Sequence, residues 1–148
     1  MKRWTVLLLV TVTGVLAIGS TTAQARRSNQ AIVVTFEKHV VDPTNLIFEG
    51  TAGGHVKGVL VSRLVPGSLS IDGPIWTFTF DWIVGADARH KSFVARTTGT
   101  FDTTTGAVVM DGRVIVGWHR GAAVHEIGHL VDPATYSFAG ELQIASDD

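Results

Sequence analysis

The sequence predicts an all-β protein, a single antiparallel barrel of eight strands, with a β-sandwich as the alternative architecture. Three observations predict this fold class. β-Branched and aromatic residues alternate with polar ones after residue 30, turn residues recur at short intervals, and no ten-residue segment has the pattern of an amphipathic helix. Short strands at regular spacing are typical of sandwiches and barrels. The interior of an eight-stranded barrel is either filled by side chains or holds one small ligand.

The first 25 residues have the pattern of a secretory signal peptide. Two basic residues are followed by an apolar stretch that ends at Ile18, and a polar run then ends in a small-residue triplet at Ala25. The apolar stretch is shorter than the ~20 residues of a membrane-spanning helix, which would be the alternative. We therefore expect residues 1–25 to be removed near Ala25 and residues 26–148 to form one secreted or periplasmic domain without a membrane span.

Composition excludes several functional classes. The chain has 148 residues and 12 Lys and Arg against 13 Asp and Glu, a net charge of −1, whereas a nucleic-acid-binding protein needs a basic face. The absence of cysteine excludes disulfides, thiolate zinc sites, iron–sulfur clusters and cysteine nucleophiles. With 45% hydrophobic and 17% charged residues, the chain is not of the disordered class.

Turn signals divide the first half of the domain into short strands. Asp-Pro, Gly-Gly, Pro-Gly and Asp-Gly-Pro sequences mark the breaks. The strands predicted between them are Ile32–Phe36, Leu46–Thr51 and His55–Leu64.

The clearest strand of the sequence is predicted at Ile75–Val84. Four aromatic residues occupy one of its faces at a period of two, namely Trp76, Phe78, Phe80 and Trp82. Such a stripe either lines a pocket for a small hydrophobic ligand or packs as the core of the barrel. These four residues are the predicted ligand-binding residues.

The second half of the domain continues with strands. A hairpin loop is predicted at Asp102–Gly106, and a bulge or tight turn at Asp111-Gly112. Asp81 is expected to be a solvated residue on the outer face, and Arg96 an outward residue in a salt bridge. The predicted strands are Ser92–Phe101, Ala107–Met110, Val114–Trp118, 121–131 and 136–144.

One segment of the domain occurs twice. His39–Gly50 and His129–Gly140 share six of twelve positions, at a spacing of 90 residues. The shared pattern is H-x-V-D-P-x-x-x-x-F-x-G, in which the aspartate accepts a backbone hydrogen bond and the proline fixes φ in a turn. The pattern predicts one unit used twice: a strand, an Asp-Pro turn and a strand with an inward phenylalanine.

Residues 125–129 form a literal H-E-x-x-H motif. On a helix, His125 and His129 would bind one zinc ion and Glu126 would activate its water, as in zinc peptidases. Pro133 would end such a helix after four residues, and the repeat aligns His129 with a residue that belongs to a predicted strand. On a strand the two histidines would be ~13 Å apart. The sequence therefore favours two histidines on a strand and no metal, with the zinc peptidase as an alternative.

About two thirds of the domain resembles small bacterial β-barrels of the allene oxide cyclase-like and dirigent-like group. The resemblance rests on the hairpin at Thr98–Gly106, the glycines of the strands that follow and the terminal Phe138–Gly140. It implies a calycin-like, eight-stranded barrel with an apolar interior. Relatives of that shape include cofactor-free cyclases, proteins that steer radical coupling, and carriers of small hydrophobic molecules. No catalytic residue of those families matches a position in this sequence.

Three functions follow as expectations. The first is an exported barrel without a cofactor that binds a small hydrophobic molecule or is a structural module of the cell surface. The second is a cofactor-free isomerase or cyclase in the same barrel, which requires at least one inward-facing acid, base or arginine. The third is the zinc peptidase, with zinc as its cofactor. The sequence assigns no catalytic residue to the second function, and it leaves the ligand and the oligomeric state open.

Overall fold

The computed structural model describes residues 31–86 and 92–146, which form nine β-strands. The predicted signal peptide lies outside the described residues. No helix that could cross a bilayer occurs in the described ranges. The strands are β1 Ile32–Asp42, β2 Ile47–Gly54, β3 Gly58–Leu64, β4 Ser70–Asp72, β5 Ile75–Ala86, β6 Phe93–Asp102, β7 Ala107–Gly117, β8 Ala123–Asp132 and β9 Ser137–Ile144.

Eight of these strands close into an antiparallel barrel. The strand order is β3-β2-β1-β9-β8-β7-β6-β5, and pairing of β3 with β5 joins the two ends. The short β4 pairs only with the beginning of β5 and lies outside the closed set. The closure confirms the predicted eight-stranded barrel rather than the sandwich, and it leaves no free edge along most of the sheet.

The core occupies the interior of the barrel, as the alternating sequence predicts. The inward side chains of β5 pack against those of β1, β2 and β6. Phe36 lies against Trp82 at 4.8 Å between ring centres, and Phe48 contacts Phe80 edge to face at 5.7 Å. Burial of a large apolar side chain of this kind contributes roughly 1.5–3 kcal/mol.

Strand β7 corrects the prediction of a turn at Asp111-Gly112. The strand runs through both residues, and Gly112 pairs with Thr97 of β6. A Cβ atom at Gly112 would lie 2.7 Å from the Cα atom of Thr97, so glycine here permits the close approach of two strands. The irregularity of register occurs later in β7, where Val114 and Val116 pair with the adjacent residues Ala95 and Val94.

The repeated sequence forms the same hairpin twice. The β1–β2 and β8–β9 hairpins both shift register just before the aspartate, and both place the fourth residue after it in the left-handed region, Leu46 at φ 49° and Tyr136 at φ 47°. The amide of Thr44 donates to Asp42 Oδ1 at 3.0 Å, and the amide of Ala134 donates to Asp132 Oδ1 at 2.9 Å. The repeat is therefore a hairpin geometry, as the sequence predicts.

A third hairpin at the same end of the barrel uses the same chemistry. Asp102 Oδ1 accepts a hydrogen bond from the amide of Thr104 at 2.8 Å, and Gly106 takes the left-handed position at φ 77°. Hydrogen bonds to the carboxylates lower the pKa of Asp42, Asp102 and Asp132. The three hairpins form what we call the hairpin end of the barrel.

Candidate functional site

A cavity enters the barrel from the hairpin end. Leu46 and Tyr136, the left-handed residues of two hairpins, lie at its rim. The cavity has a volume of about 40 Å³. Aromatic rings supply most of the wall: Phe36, Phe48, Trp76, Phe78, Phe80, Phe101 and Phe138.

The predicted ligand-binding residues all lie on the inner face of β5. Trp76, Phe78 and Phe80 line the cavity, and Trp82 is fully buried deeper in the barrel. Phe78 and Phe80 meet edge to face at 5.1 Å between ring centres, and Trp76 contacts Phe101 at 6.0 Å. Part of this aromatic face is therefore packed core and part is cavity wall. Both interpretations that the sequence left open, a packed core and a pocket lining, apply to different residues of the face. Ligand contact by these four residues remains a prediction.

Lys38 brings a positive charge into this aromatic interior. It lies on the inner face of β1, is 8% exposed, and lines the cavity. Its Nζ atom donates a hydrogen bond to the buried Ser62 Oγ at 3.2 Å and lies 3.8 Å from the centre of the Trp82 ring. Phe36, Phe48 and Phe80 surround the same atom at 5.1–5.4 Å from their ring centres. Burial lowers the pKa of Lys38 to about 8, and the charge of Glu126 opposes this change.

Glu126 brings a carboxyl group to the same cavity from β8. It is 1% exposed, and the hydroxyl of Thr97 donates a long hydrogen bond of 3.5 Å to its Oε2 atom. Its Oε1 atom is buried and has no hydrogen-bond partner. Burial raises the pKa of Glu126 to about 7, while the charge of Lys38 and the polar groups of Trp82 and Thr97 act in the opposite direction. The indole N–H of Trp82 is a neighbouring donor that favours the charged form of Glu126, although neither its Nε1 atom nor Glu126 Oε1 has a partner within hydrogen-bond geometry.

The two charged groups face one cavity without forming a direct ion pair. Lys38 Nζ and the Glu126 carboxylate oxygens are more than 4.0 Å apart, so both groups keep hydrogen-bonding capacity that a third group would fill. Their pKa values shift towards each other, because burial disfavours the charged form of each group. Groups arranged in this way can form hydrogen bonds to a polar group and exchange protons near neutral pH.

Sequence reasoning missed Lys38 and assigned Glu126 only as a base for zinc. The signal that places them inside is the alternation of their strands. Lys38 has the same parity as Val34 and Phe36 of β1, and Glu126 has the same parity as Val124 of β8. The site can therefore be recognised from charged residues at the inward positions of barrel strands.

The residues of the H-E-x-x-H motif do not converge. Residues 123–132 form strand β8, as the sequence favours, and not the helix that the zinc alternative requires. His125 is half-buried on the outer face, where its Nδ1 atom lies 2.7 Å from Asp111 Oδ1. His129 is exposed on that same face, whereas Glu126 points into the barrel. Within the described ranges, no group of three His, Asp or Glu side chains is placed to hold a metal ion.

Asp81 and Arg96 form an ion pair on the outer face of the barrel. The guanidinium of Arg96 donates from Nε to Asp81 Oδ1 at 2.7 Å and from Nη2 to Oδ2 at 2.9 Å. The expected salt bridge of Arg96 is confirmed. The expectation that Asp81 is solvated was wrong: it is 8% exposed, and the cross-strand arginine is bound to both of its carboxylate oxygens.

Comparisons with models of protein families, with curated proteins and with solved structures found no match for this chain.

Proposed function

We propose that the barrel binds a small, mainly apolar molecule whose one polar group lies between Lys38 and Glu126. The observation that carries the proposal is the unpartnered Oε1 atom of Glu126, on a side chain that is 1% exposed in the wall of an aromatic cavity. A buried acceptor without a partner costs about 1–3 kcal/mol, and more when it is charged. A ligand that donates to Glu126 and accepts from Lys38 removes this cost.

The size of the cavity limits the ligand. A cavity of about 150 Å³ admits benzene in a protein core, whereas the space here is about 40 Å³. A ligand of a few heavy atoms fits without rearrangement. An aromatic ring requires side chains of the wall to move, and Tyr136, which is 42% exposed, is the most exposed large side chain of that wall.

The test is a titration of the purified protein with 1-butanol, cyclohexanol and benzyl alcohol, followed by tryptophan fluorescence and indole NMR signals. We expect saturable changes of the Trp76 and Trp82 signals. Glu126→Gln and Lys38→Arg are expected to weaken binding. Their controls are Glu37→Gln and Lys57→Arg, which alter exposed side chains. Absence of a saturable change with all three alcohols would overturn the proposal.

A cofactor-free isomerase or cyclase is the second candidate. The observation in its favour is the inward acid and base that this function requires, Glu126 and Lys38. A carboxyl group with a raised pKa exchanges protons with a bound substrate at neutral pH. The resemblance to the allene oxide cyclase-like and dirigent-like group supports this candidate, since that group includes cofactor-free cyclases.

The second candidate is tested by hydrogen exchange into a simple ketone. Cyclohexanone is incubated with the protein in deuterium oxide, and incorporation of deuterium next to the carbonyl is followed by NMR. We expect catalysed exchange that Glu126→Gln abolishes and Glu37→Gln leaves unchanged. Exchange at the rate of the protein-free solution would exclude this chemistry for that substrate class.

We also propose that the protein acts outside the cytoplasm. The support is the signal-peptide pattern of residues 1–25. The mass of the protein recovered from the extracytoplasmic fraction of expressing cells tests this proposal. A chain that begins near residue 26 is expected, and an uncleaved chain confined to the cytoplasm would contradict it.

A further inference from the structure

We propose that Lys38 forms an imine with an aldehyde or small ketone bound in the cavity, and that Glu126 carries the protons of this reaction. The inference rests on the proposed function, because the carbonyl compound must first enter the cavity. It goes further by naming the substrate class and a covalent step.

The position of Lys38 suits a nucleophilic amine. Its Nζ atom is held by one hydrogen bond to Ser62, which is itself fully buried, and by the face of the Trp82 ring. The atom faces a cavity whose remaining wall is mainly aromatic. Desolvation in such a site favours the neutral amine, which is the form that attacks a carbonyl carbon.

The charges of the site select a neutral ligand. Glu126 repels a carboxylate or phosphate, and Lys38 repels an ammonium ion, so neither kind of ligand leaves both groups satisfied. A neutral carbonyl compound fits both charges: its carbon faces the amine and its oxygen accepts a proton from the acid. The aromatic wall binds the apolar remainder of the molecule.

The reaction balances without an oxidant or reductant. The reaction begins with the neutral Lys38 amine and the neutral Glu126 acid. The amine forms a C–N bond to the carbonyl carbon, the C=O π pair moves to oxygen, and that oxygen takes the proton of Glu126 while the nitrogen gives one of its protons to the Glu126 carboxylate. Glu126 then gives this proton to the hydroxyl, which leaves as water when the nitrogen pair forms the C=N bond. The protonated imine returns its N–H proton to Glu126. The sum is amine plus carbonyl giving imine plus water.

The test is reductive trapping of the purified protein with butanal or benzaldehyde and sodium cyanoborohydride, with the modified lysine located by peptide mass spectrometry. Lys57 and Lys91 follow Lys38 in the chain and are internal references. We expect Lys38 to be modified roughly tenfold faster than Lys57 or more at pH 7.5, because burial favours the neutral, nucleophilic form of Lys38. Glu126→Gln is expected to slow the modification roughly tenfold or more, within the 10²–10⁴-fold that general acid–base catalysis contributes, and Glu37→Gln to leave it unchanged.

The matched alcohols separate the two proposals, because 1-butanol and benzyl alcohol bind in the cavity but form no imine. Alcohol binding together with selective trapping at Lys38 supports the inference. Alcohol binding with trapping no faster at Lys38 than at Lys57 overturns the inference and leaves the proposed function standing. Neither binding nor selective trapping overturns both. The modified lysine is located in the unsubstituted protein, so this outcome does not depend on the folding of a variant.

Discussion

The Nζ atom of Lys38 lies 3.8 Å from the centre of the fully buried Trp82 ring. A desolvated cation–π contact of this kind is worth about 2 kcal/mol or more. The ring therefore offsets part of the cost of removing the ammonium group from water. It also makes Trp82 a reporter of the charge on Lys38.

Trp82 fluorescence is expected to change as the pH rises through about 8, because Lys38 then loses its proton beside the ring. Glu126 also faces this site, so a second change near pH 7 is expected. Lys38→Met should remove the upper transition, and Lys57→Met, on the surface, should leave it in place. An emission spectrum that is constant between pH 6 and 9 would contradict the buried charge.

Removing Lys38 should destabilise the protein in a pH-dependent way. In Lys38→Met the carboxyl group of Glu126 stays buried without its opposite charge, which raises its pKa further. A group whose pKa is raised on folding stabilises the folded state while it is protonated, and this stability is lost as the pH rises through the folded pKa. We expect a loss of about 3–5 kcal/mol at pH 8 and a smaller loss at pH 5, measured by urea unfolding.

The double variant Lys38→Met with Glu126→Gln is the control for this prediction. With neither charge buried, it should recover most of the stability that Lys38→Met loses at pH 8, since replacing both partners of a buried pair is often neutral or stabilising. Equal losses for the single and the double variant would show that packing of the lysine stem, and not the charge of Glu126, dominates.

The three aspartates of the hairpin end should stabilise the fold at neutral pH but not in strong acid. Their pKa values are lowered by hydrogen bonds in the folded protein. Their stabilising contribution is therefore present above the ordinary aspartate pKa and is lost as the pH falls through the lower folded value. Asp132→Ala should lower the urea midpoint at pH 7 and change it little at pH 2. Asp72→Ala, at the exposed last residue of β4, should have little effect at either pH.

Gly140 should tolerate no side chain. A Cβ atom there would lie 2.6 Å from the Cα atom of Gly128 and 2.9 Å from the ring of Phe36, which occupies the space that the two glycines leave. We expect Gly140→Ala to cost about 1–3 kcal/mol in unfolding free energy. Gly85→Ala is the control, because its new Cβ would meet only Val59 at an ordinary 3.4 Å. Equal effects of the two substitutions would contradict the close packing around Phe36.

The fold was predictable because each strand carries its own alternation and each turn its own residues. The closure of the barrel agreed with the predicted number of strands. The two Asp-Pro hairpins followed from the twelve-residue pattern that the sequence repeats at a spacing of 90 residues. The course of β7 was not predictable in the same way. Glycine after aspartate is locally typical of a turn. Gly112 lies within β7 because Thr97 of the neighbouring strand approaches too closely for a side chain, and this contact is visible only in the folded barrel.

The aromatic half of the site was predictable for the same reason, since Trp76 and Phe80 share a face at a period of two. The charged half was not, because Lys38 and Glu126 come from distant parts of the chain and meet only when β1 and β8 close around the same cavity. A lysine or glutamate within a strand is ordinarily assigned to the solvent side. Only the alternation of inward and outward positions along β1 and β8 places both side chains inside. This alternation identifies an inward position only when the barrel itself is known.

The H-E-x-x-H motif provides the last prediction. On β8 the positions of His125 and His129 are separated by four residues, or ~13 Å, and Glu126 lies on the other side of the strand. Zinc requires ligands within about 2.0–2.1 Å of one ion, so we expect elemental analysis of the purified, untagged protein to show no stoichiometric zinc bound through these histidines. His129→Ala is the matched control, since any adventitious surface zinc would be retained. About one zinc per chain, lost in His129→Ala, would contradict the strand and return Glu126 to the role of a metal-assisted base. The same measurement therefore tests whether Glu126 belongs to Lys38 or to the histidines.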